Sequence, residues 1–234
     1  MARIRGIAFD LEGTVVDVEA AHHNGHLATA SEYGLTLTLE EAYSRLPHFI
    51  GGPDDKVCED IWQRLDEDVR SRVAVGEILA RDQFHYERLL AELPIEPRPG
   101  FLDFYKEASD LDLGLTIGSL TAEKQAAVLL ERSGLARLFG ERNIVLREHV
   151  ANPKPAPDVF LKTASIMGIA TSEQLVFEDS PRGVKAALTA GSKAIGMPVV
   201  IRGVTVGALV DAGVCALFYD WRHIDLAGLI NNLG

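Results

Sequence analysis

Two carboxylates stand two residues apart in Phe9-Asp10-Leu11-Glu12-Gly13-Thr14, directly after an apolar run from Ile4 to Phe9 that reads as a buried strand. At a strand end the alternation of side chains between faces breaks down, so both acids can turn into one crevice. In open α/β sheets that crevice is where ligands bind. Three further sites fall at predicted strand ends or just beyond. Gly118-Ser119 follows the apolar run Leu113 to Ile117 and precedes a helical pattern. A Ser hydroxyl with the backbone N–H groups of Ser119 and Leu120 at a helix start suits an oxyanion or a phosphate. Lys154 sits in Asn152-Pro153-Lys154-Pro155-Ala156-Pro157-Asp158, where flanking prolines hold the backbone and aim one ammonium in a fixed direction. Glu178-Asp179 follows Gln174 to Phe177 and precedes Ser180-Pro181-Arg182-Gly183. Two adjacent acids there need a positive partner. A hard divalent cation held by oxygens is the usual one, and Mg2+ keeps several waters beside one or two carboxylates. Each site alone has a plainer reading: a cap or solvated turn for the acids, an N-cap for Ser119, a surface charge for Lys154. Their order and spacing together are much more specific.

The elements that must position these residues alternate. From Phe101 onward, helical patterns cover Phe101–Leu111, Thr121–Ser133, Asp158–Met167, Gly183–Ala190 and Val204–Asp211. Strand patterns between them cover Leu113–Gly118, Asn143–Leu146, Leu175–Phe177, Lys193–Gly196 and Cys215–Tyr219. Such alternation implies right-handed crossovers and a mostly parallel sheet. Residues 17–93 read differently, with helical periodicity, many charges and no strong strand pattern. Ala20 to Ser31 suits a first helix, ended by Gly34, and Thr38 caps a second whose first turn holds Glu40 and Glu41. After the turn Gly51-Gly52-Pro53, Asp54 or Asp55 is the expected cap of a helix over Val57–Leu65, and a long helix spans Ala74–Leu93. Leu93 to Gly100, with three prolines and a glycine, closes this insert as a semi-rigid connector. The predicted fold is α/β: a doubly wound, Rossmann-like parallel-sheet core over 1–16 and 94–234, with an inserted α-helical cap domain over 17–93.

Composition narrows the partners. The chain has 234 residues, 47% hydrophobic and 24% charged, with a formal net charge of −11. That balance disfavours nucleic acid, which is bound by clustered Lys and Arg. A small anion still fits where a few positive groups and a metal ion focus on one cleft. No apolar run reaches the ~20 residues needed to cross a bilayer, and no signal-peptide pattern precedes the first strand, so a cytoplasmic protein without a membrane partner is expected. Cys58 and Cys215 match no metal-ligand spacing and read as reduced thiols.

In its four motifs the sequence resembles the haloacid dehalogenase superfamily, in particular its helical-cap phosphatase and beta-phosphoglucomutase-like branch. The family's Asp-x-Asp-Gly-Thr is matched by Asp10-Leu11-Glu12-Gly13-Thr14, and its Ser or Thr after the second strand by Ser119. Its Lys before Pro-x-Pro-Asp is matched by Lys154 to Asp158, and its Glu-Asp-Ser followed by Gly by Glu178-Asp179-Ser180 and Gly183. The match spans essentially the whole chain, cap placement included. The resemblance implies a Mg2+-dependent phosphoric monoester hydrolase acting on a small phosphorylated metabolite. It implies that Asp10 attacks phosphorus and forms an aspartyl-phosphate. Glu12 would protonate the leaving oxygen and then activate water. Ser119, Leu120 and Lys154 would hold phosphate oxygens. Asp10, the Glu12 carbonyl and Asp179 would hold Mg2+, with Glu178 acting through water. Catalysis would rest on positioning and charge stabilisation, with cap closure excluding water from the first step.

Glu12 departs from the family's second Asp by one methylene. A misplacement of about 1 Å can cost ~10²-fold in rate. Either the pocket is reshaped around Glu12, or one step is slowed and the aspartyl-phosphate trapped, or activity is altered or lost. The first is preferred because every other motif residue is present. The carbonyl at position 12 is the same in either residue, so metal binding should survive. In the cap, Ile50 to Lys56 offers Asp54 and Asp55 where phosphoglucomutase-like members carry an Arg near a Gly. This weakens, without removing, the alternative of a phosphomutase; the other alternative is a phosphate- or metal-binding homologue with impaired turnover. Dehalogenases proper lack the metal site, and phosphonoacetaldehyde hydrolase relatives need a cap Lys and a small residue in place of Glu12. His22 sits where capped relatives often carry a hinge His and is a candidate substrate-binding residue. The plainer reading of His22, His23 and His26 is a partly exposed helix face, and three His without Cys give a weak zinc signal. Arg182 either pairs with an acid beside the metal or belongs to a solvated turn.

Overall fold

The apolar run before Asp10 becomes the central strand of a six-stranded sheet in the computed structural model, which describes residues 3–234. In chain order the elements begin with β1 (Gly6–Phe9), α1 (Glu19–Glu32), α2 (Leu39–Arg45), α3 (Asp54–Arg64), α4 (Glu67–Arg70) and α5 (Val75–Glu92). Next come α6 (Phe101–Asp110), β2 (Gly114–Gly118), α7 (Glu123–Arg132), α8 (Leu135–Phe139), β3 (Ile144–Val145) and α9 (Asp158–Met167). The chain ends with β4 (Gln174–Glu178), α10 (Pro181–Ala190), β5 (Lys193–Gly196), α11 (Gly203–Ala212), β6 (Ala216–Leu217) and α12 (Leu226–Leu233). Two compact units result, Met1–Asp17 with Ile95–Gly234, and Val18–Pro94. No helix among the described residues is long and apolar enough to cross a membrane.

The sheet has the order β3-β2-β1-β4-β5-β6 and every pairing is parallel, so the expected doubly wound fold is met. The chain winds outward from β1 to β3 and then returns to lay β4 beside β1. Winding reverses between β1 and β4, and ligands bind beyond the carboxyl ends of strands at such a switch point. Register Phe9↔Phe177 and Phe9↔Ile117 sets Asp10 level with Glu178 on one side and Gly118 on the other.

Alternation along β1 anchors that end. Phe9 faces one layer, where its ring meets Phe101, Phe104, Phe139, Phe177 and Trp221 at centroid distances from 5.3 to 6.1 Å. Most of these contacts are edge-on, the arrangement aromatic rings favour, each worth about 0.5–1.5 kcal/mol beyond area burial. Ala8 faces the opposite layer, packed with Val159 and Phe160 of α9 and Val184 of α10. Asp10, two residues on, continues along the Ala8 side.

The helical unit has its own core, built from Ala30, Ala42, Leu46, Phe49, Val57, Ile61 and Ile78 among others. Thr38 forms the expected cap of α2, as a reciprocal capping box with Glu41. The expected cap of α3 is corrected. Pro53 occupies that position without a side-chain bond, and Asp54 and Asp55 lie inside the first turn. Their charges there favour the positive end of the helix dipole. Of the helix face read as partly exposed, His22 is half-buried while His23 and His26 are buried. At the sheet edges β3 and β6 pair over two residues only, shorter than their apolar runs.

Candidate active site

The carboxyl ends of β1 and β4 carry a buried ionic triplet. Asp10 donates its backbone N–H to the Phe177 carbonyl at 3.0 Å, extending the ladder by one residue past β1. Lys154 Nζ then bridges Asp10 Oδ1 at 2.5 Å and Glu178 Oε1 at 2.6 Å. All three side chains are buried, so these are charge-assisted bonds with little solvent screening. The loop before α9 aims Lys154. Arg182 Nη2 donates to the Lys154 carbonyl at 2.7 Å, the Lys154–Pro155 bond is cis, and the ammonium lies 5.1 Å from the centre of the Phe160 ring. Arg182 is therefore neither a solvated turn residue nor shown with an acid; it braces the lysine loop.

Glu178 is engaged at both oxygens. Oε1 takes Lys154, and Oε2 accepts from the Ser180 N–H at 3.0 Å and its hydroxyl at 2.9 Å. Ser180 Oγ in turn accepts the Gly183 N–H at 3.1 Å and caps α10, with Pro181 in the first turn. Gly183 is required because a Cβ there would occupy the space of the Glu178 carboxylate. Asp179 has a matching requirement. Its carboxylate lies against Gly13, at φ +76°, and a Cβ at position 13 would collide with it. Asp179 is thus directed at the loop that follows Asp10.

Glu12 enters a second chain of contacts. Its Oε1 accepts from Thr121 Oγ1 at 2.5 Å. Thr121 Oγ1 lies 2.9 Å from Ser119 Oγ, and the Thr121 N–H donates to Ser119 Oγ at 3.3 Å. With its one hydroxyl proton on Glu12, Thr121 accepts the proton of Ser119. Ser119 is fixed by its own N–H, which donates to Val145 at 3.0 Å, and is buried; Leu120 beside it is half-buried. The structure thus links Asp10 with Lys154 and Glu178, and Glu12 with Ser119, at neighbouring strand ends. His22 belongs to the helical unit, where it stacks on Tyr86 with ring centres 4.1 Å apart and meets Asp54.

Two residues outside the motifs, Thr121 and Arg98, hold this arrangement together with Arg182. Arg98 Nη1 donates to the carbonyls of Gly13 and Met197 at 2.7 Å each, and Nη2 to Tyr219 at 3.1 Å. It ties the loop after β1 to those after β5 and β6. Arg98 stands between Pro97 and Pro99, the same proline flanking that singled out Lys154.

Electrostatically the site is short of positive charge. Burial raises the Asp10 pKa to about 7, with the charges of Glu178 and Glu12 adding to the rise and Lys154 opposing it. Burial alone would lower the pKa of Lys154, but Asp10 and Glu178 together hold it above the usual lysine range. The Asp179 carboxylate lies against Gly13, in the loop that follows Asp10, and carboxylate oxygens are the ligand type that a hard divalent cation such as Mg2+ takes.

The parallel sheet with acids at its switch point defines a class. The chain belongs to the haloacid dehalogenase-like hydrolases, whose family model matches residues 7–197. The expectation of a phosphoric monoester hydrolase is met at that level. Over 193 residues the chain is 28% identical to fructose-1-phosphate phosphatase YqaB of Escherichia coli (strain K12), an alignment covering 82% of this chain and 96% of the relative. It is 31% identical over 238 residues to phosphoglycolate phosphatase of the same organism, covering 93% of this chain and 89% of that one. The crystal structure of a HAD hydrolase, family IA, variant 3, from Entamoeba histolytica HM-1:IMSS shares the fold with a TM-score of 0.80 at 20% identity, covering 98% and 99% of the two chains.

Proposed function

We propose that the protein is a Mg2+-dependent phosphatase of a small phosphorylated metabolite, a sugar or hydroxyacid monophosphate, working in the cytoplasm. The observation that carries this reading is Lys154 held between Asp10 and Glu178 at the switch point of the sheet. Asp10 attacks phosphorus; the bond to the leaving oxygen breaks, and Glu12 supplies that oxygen with a proton. Water then attacks the aspartyl-phosphate and returns a proton to Glu12, which frees Asp10 and releases phosphate. Ser119, the N–H of Leu120 and Lys154 hold the non-bridging oxygens of the phosphoryl group, as positioning dominates phosphoryl transfer. Asp10, Asp179 and the Glu12 carbonyl would hold Mg2+, which neutralises charge on the phosphoryl oxygens when bound. Glu178, with both oxygens engaged, is better suited to orient Lys154 than to ligate the ion.

Phosphate release from a panel of metabolite monophosphates tests this, with Mg2+ and with chelator, and with Asp10→Asn as control. Release that needs both Mg2+ and Asp10 supports the phosphatase. Isomerisation without net release would make the protein a phosphomutase. Tight phosphate or metal binding without turnover would leave only a binding protein.

A further inference from the structure

His22 and His26 lie one helical turn apart on α1, the i, i+4 spacing that sets two imidazoles on one helix face. Asp54, in the first turn of α3, meets both. His22 Nδ1 is 3.7 Å and His26 Nε2 3.9 Å from Asp54 Oδ1. All three ligand atoms fall within 4.8 Å of one another. An ion with bonds of about 2.1 Å in tetrahedral geometry needs its ligand atoms about 3.4 Å apart, so small side-chain shifts close the set. We propose that His22, His26 and Asp54 bind a borderline divalent transition-metal ion, Zn2+ foremost, within the helical unit.

A second observation stands behind the triad. His26 uses its other ring nitrogen, Nδ1, toward Asp82 Oδ1 at 2.9 Å. Asp82 is 2% exposed, on α5, and also accepts from Thr29 Oγ1 at 3.1 Å. With Nδ1–H donating to this carboxylate, the lone pair is left at Nε2, the atom facing Asp54. A carboxylate behind a ligating imidazole is the common outer partner of metal-bound histidine, fixing its tautomer and ring orientation. His22 is oriented separately, by stacking on Tyr86. His26 is buried while His22 and Asp54 are partly exposed, so an open position for water or a ligand atom remains on one side. Two imidazoles and one carboxylate suit Zn2+ and its neighbours in the transition series. Mg2+, which takes oxygen ligands, is poorly matched to two imidazole nitrogens.

The test uses the full chain, stripped with chelator and titrated with Zn2+ in excess Mg2+ by competition against a chromogenic chelator. The expected result is one Zn2+ per chain that persists in Asp10→Asn and Asp179→Asn, in which the oxygen site is impaired. His22→Ala and Asp54→Ala each abolish that equivalent while thermal unfolding remains cooperative, both side chains being partly exposed. Asp82→Asn keeps the stoichiometry and weakens affinity about 10- to 100-fold. Absence of a micromolar equivalent in the unsubstituted chain overturns the proposal. So does an equivalent that His22→Ala and Asp54→Ala leave unchanged.

Discussion

Shortening Glu12 by one methylene separates two views of this residue. If Glu12 is a defect relative to an Asp, Glu12→Asp accelerates turnover. If the pocket is fitted to Glu12, the same change slows it, and the structure gives the size. The carboxylate sits 2.5 Å from Thr121 Oγ1. Removing a methylene withdraws it by about 1.3 Å, which stretches that contact beyond hydrogen-bond range. A hydrogen bond to a charged group contributes about 1.5–3 kcal/mol, and 1.36 kcal/mol is tenfold in rate. Glu12→Asp is therefore expected to lower kcat about 10- to 100-fold, and Thr121→Val to do the same by removing the donor. Because both act on one contact, the double variant falls no further than the worse single one. Steady-state phosphate release on the best substrate of the panel, run as a double-mutant cycle, measures this. A Glu12→Asp enzyme faster than the natural one, with additive losses in the cycle, refutes it.

Other consequences are open to direct measurement. Lys154→Met leaves Asp10 and Glu178 buried without their counter-charge, and denaturant unfolding at neutral pH should register a loss of about 3–5 kcal/mol; adding Asp10→Asn should recover part of it. Gly13→Ala drives a Cβ toward the Asp179 carboxylate at a positive φ, so the Mg2+ concentration for half-maximal activity should rise at least about tenfold. Hydrogen bonds from Arg81 and His85 lower the Glu32 pKa, so its stabilisation is present above the unfolded carboxyl range and lost as pH falls through the folded value. Thermal unfolding of Glu32→Gln should lie slightly below the natural chain at neutral pH, by about 0.5 kcal/mol for so exposed a group, and coincide with it in acid.

Much of the fold is legible because strands and chemistry coincide. Ile4 to Phe9, Leu113 to Gly118 and Leu175 to Phe177 are apolar runs that end at a polar motif, and strand ends in a parallel sheet share one edge. Asp10, Ser119, Lys154 and Glu178 stand out for the same reason, each beside a strand end or between prolines. Thr121 does not, because its partner Glu12 lies 109 positions away and a threonine near a helix start reads as a cap. Arg182 misleads in another way. A turn arginine beside acids suggests an ion pair, whereas the fold aims it at a main-chain carbonyl 28 positions away. Histidine burial is hidden too: α1 carries polar residues around much of its circumference, and the partners that decide which side is inside, Tyr43 and Phe49 for His23 and Asp54 and Asp82 for His26, lie elsewhere in the chain.

Acid quenching during turnover, followed by peptide mass spectrometry, tests directly whether Asp10 carries the phosphoryl group. The expected result is one added phosphoryl mass on the peptide containing Asp10, absent from Asp10→Asn and decaying at the rate of phosphate release. Sustained phosphate release by Asp10→Asn at the natural rate, with no labelled peptide in either enzyme, would contradict it.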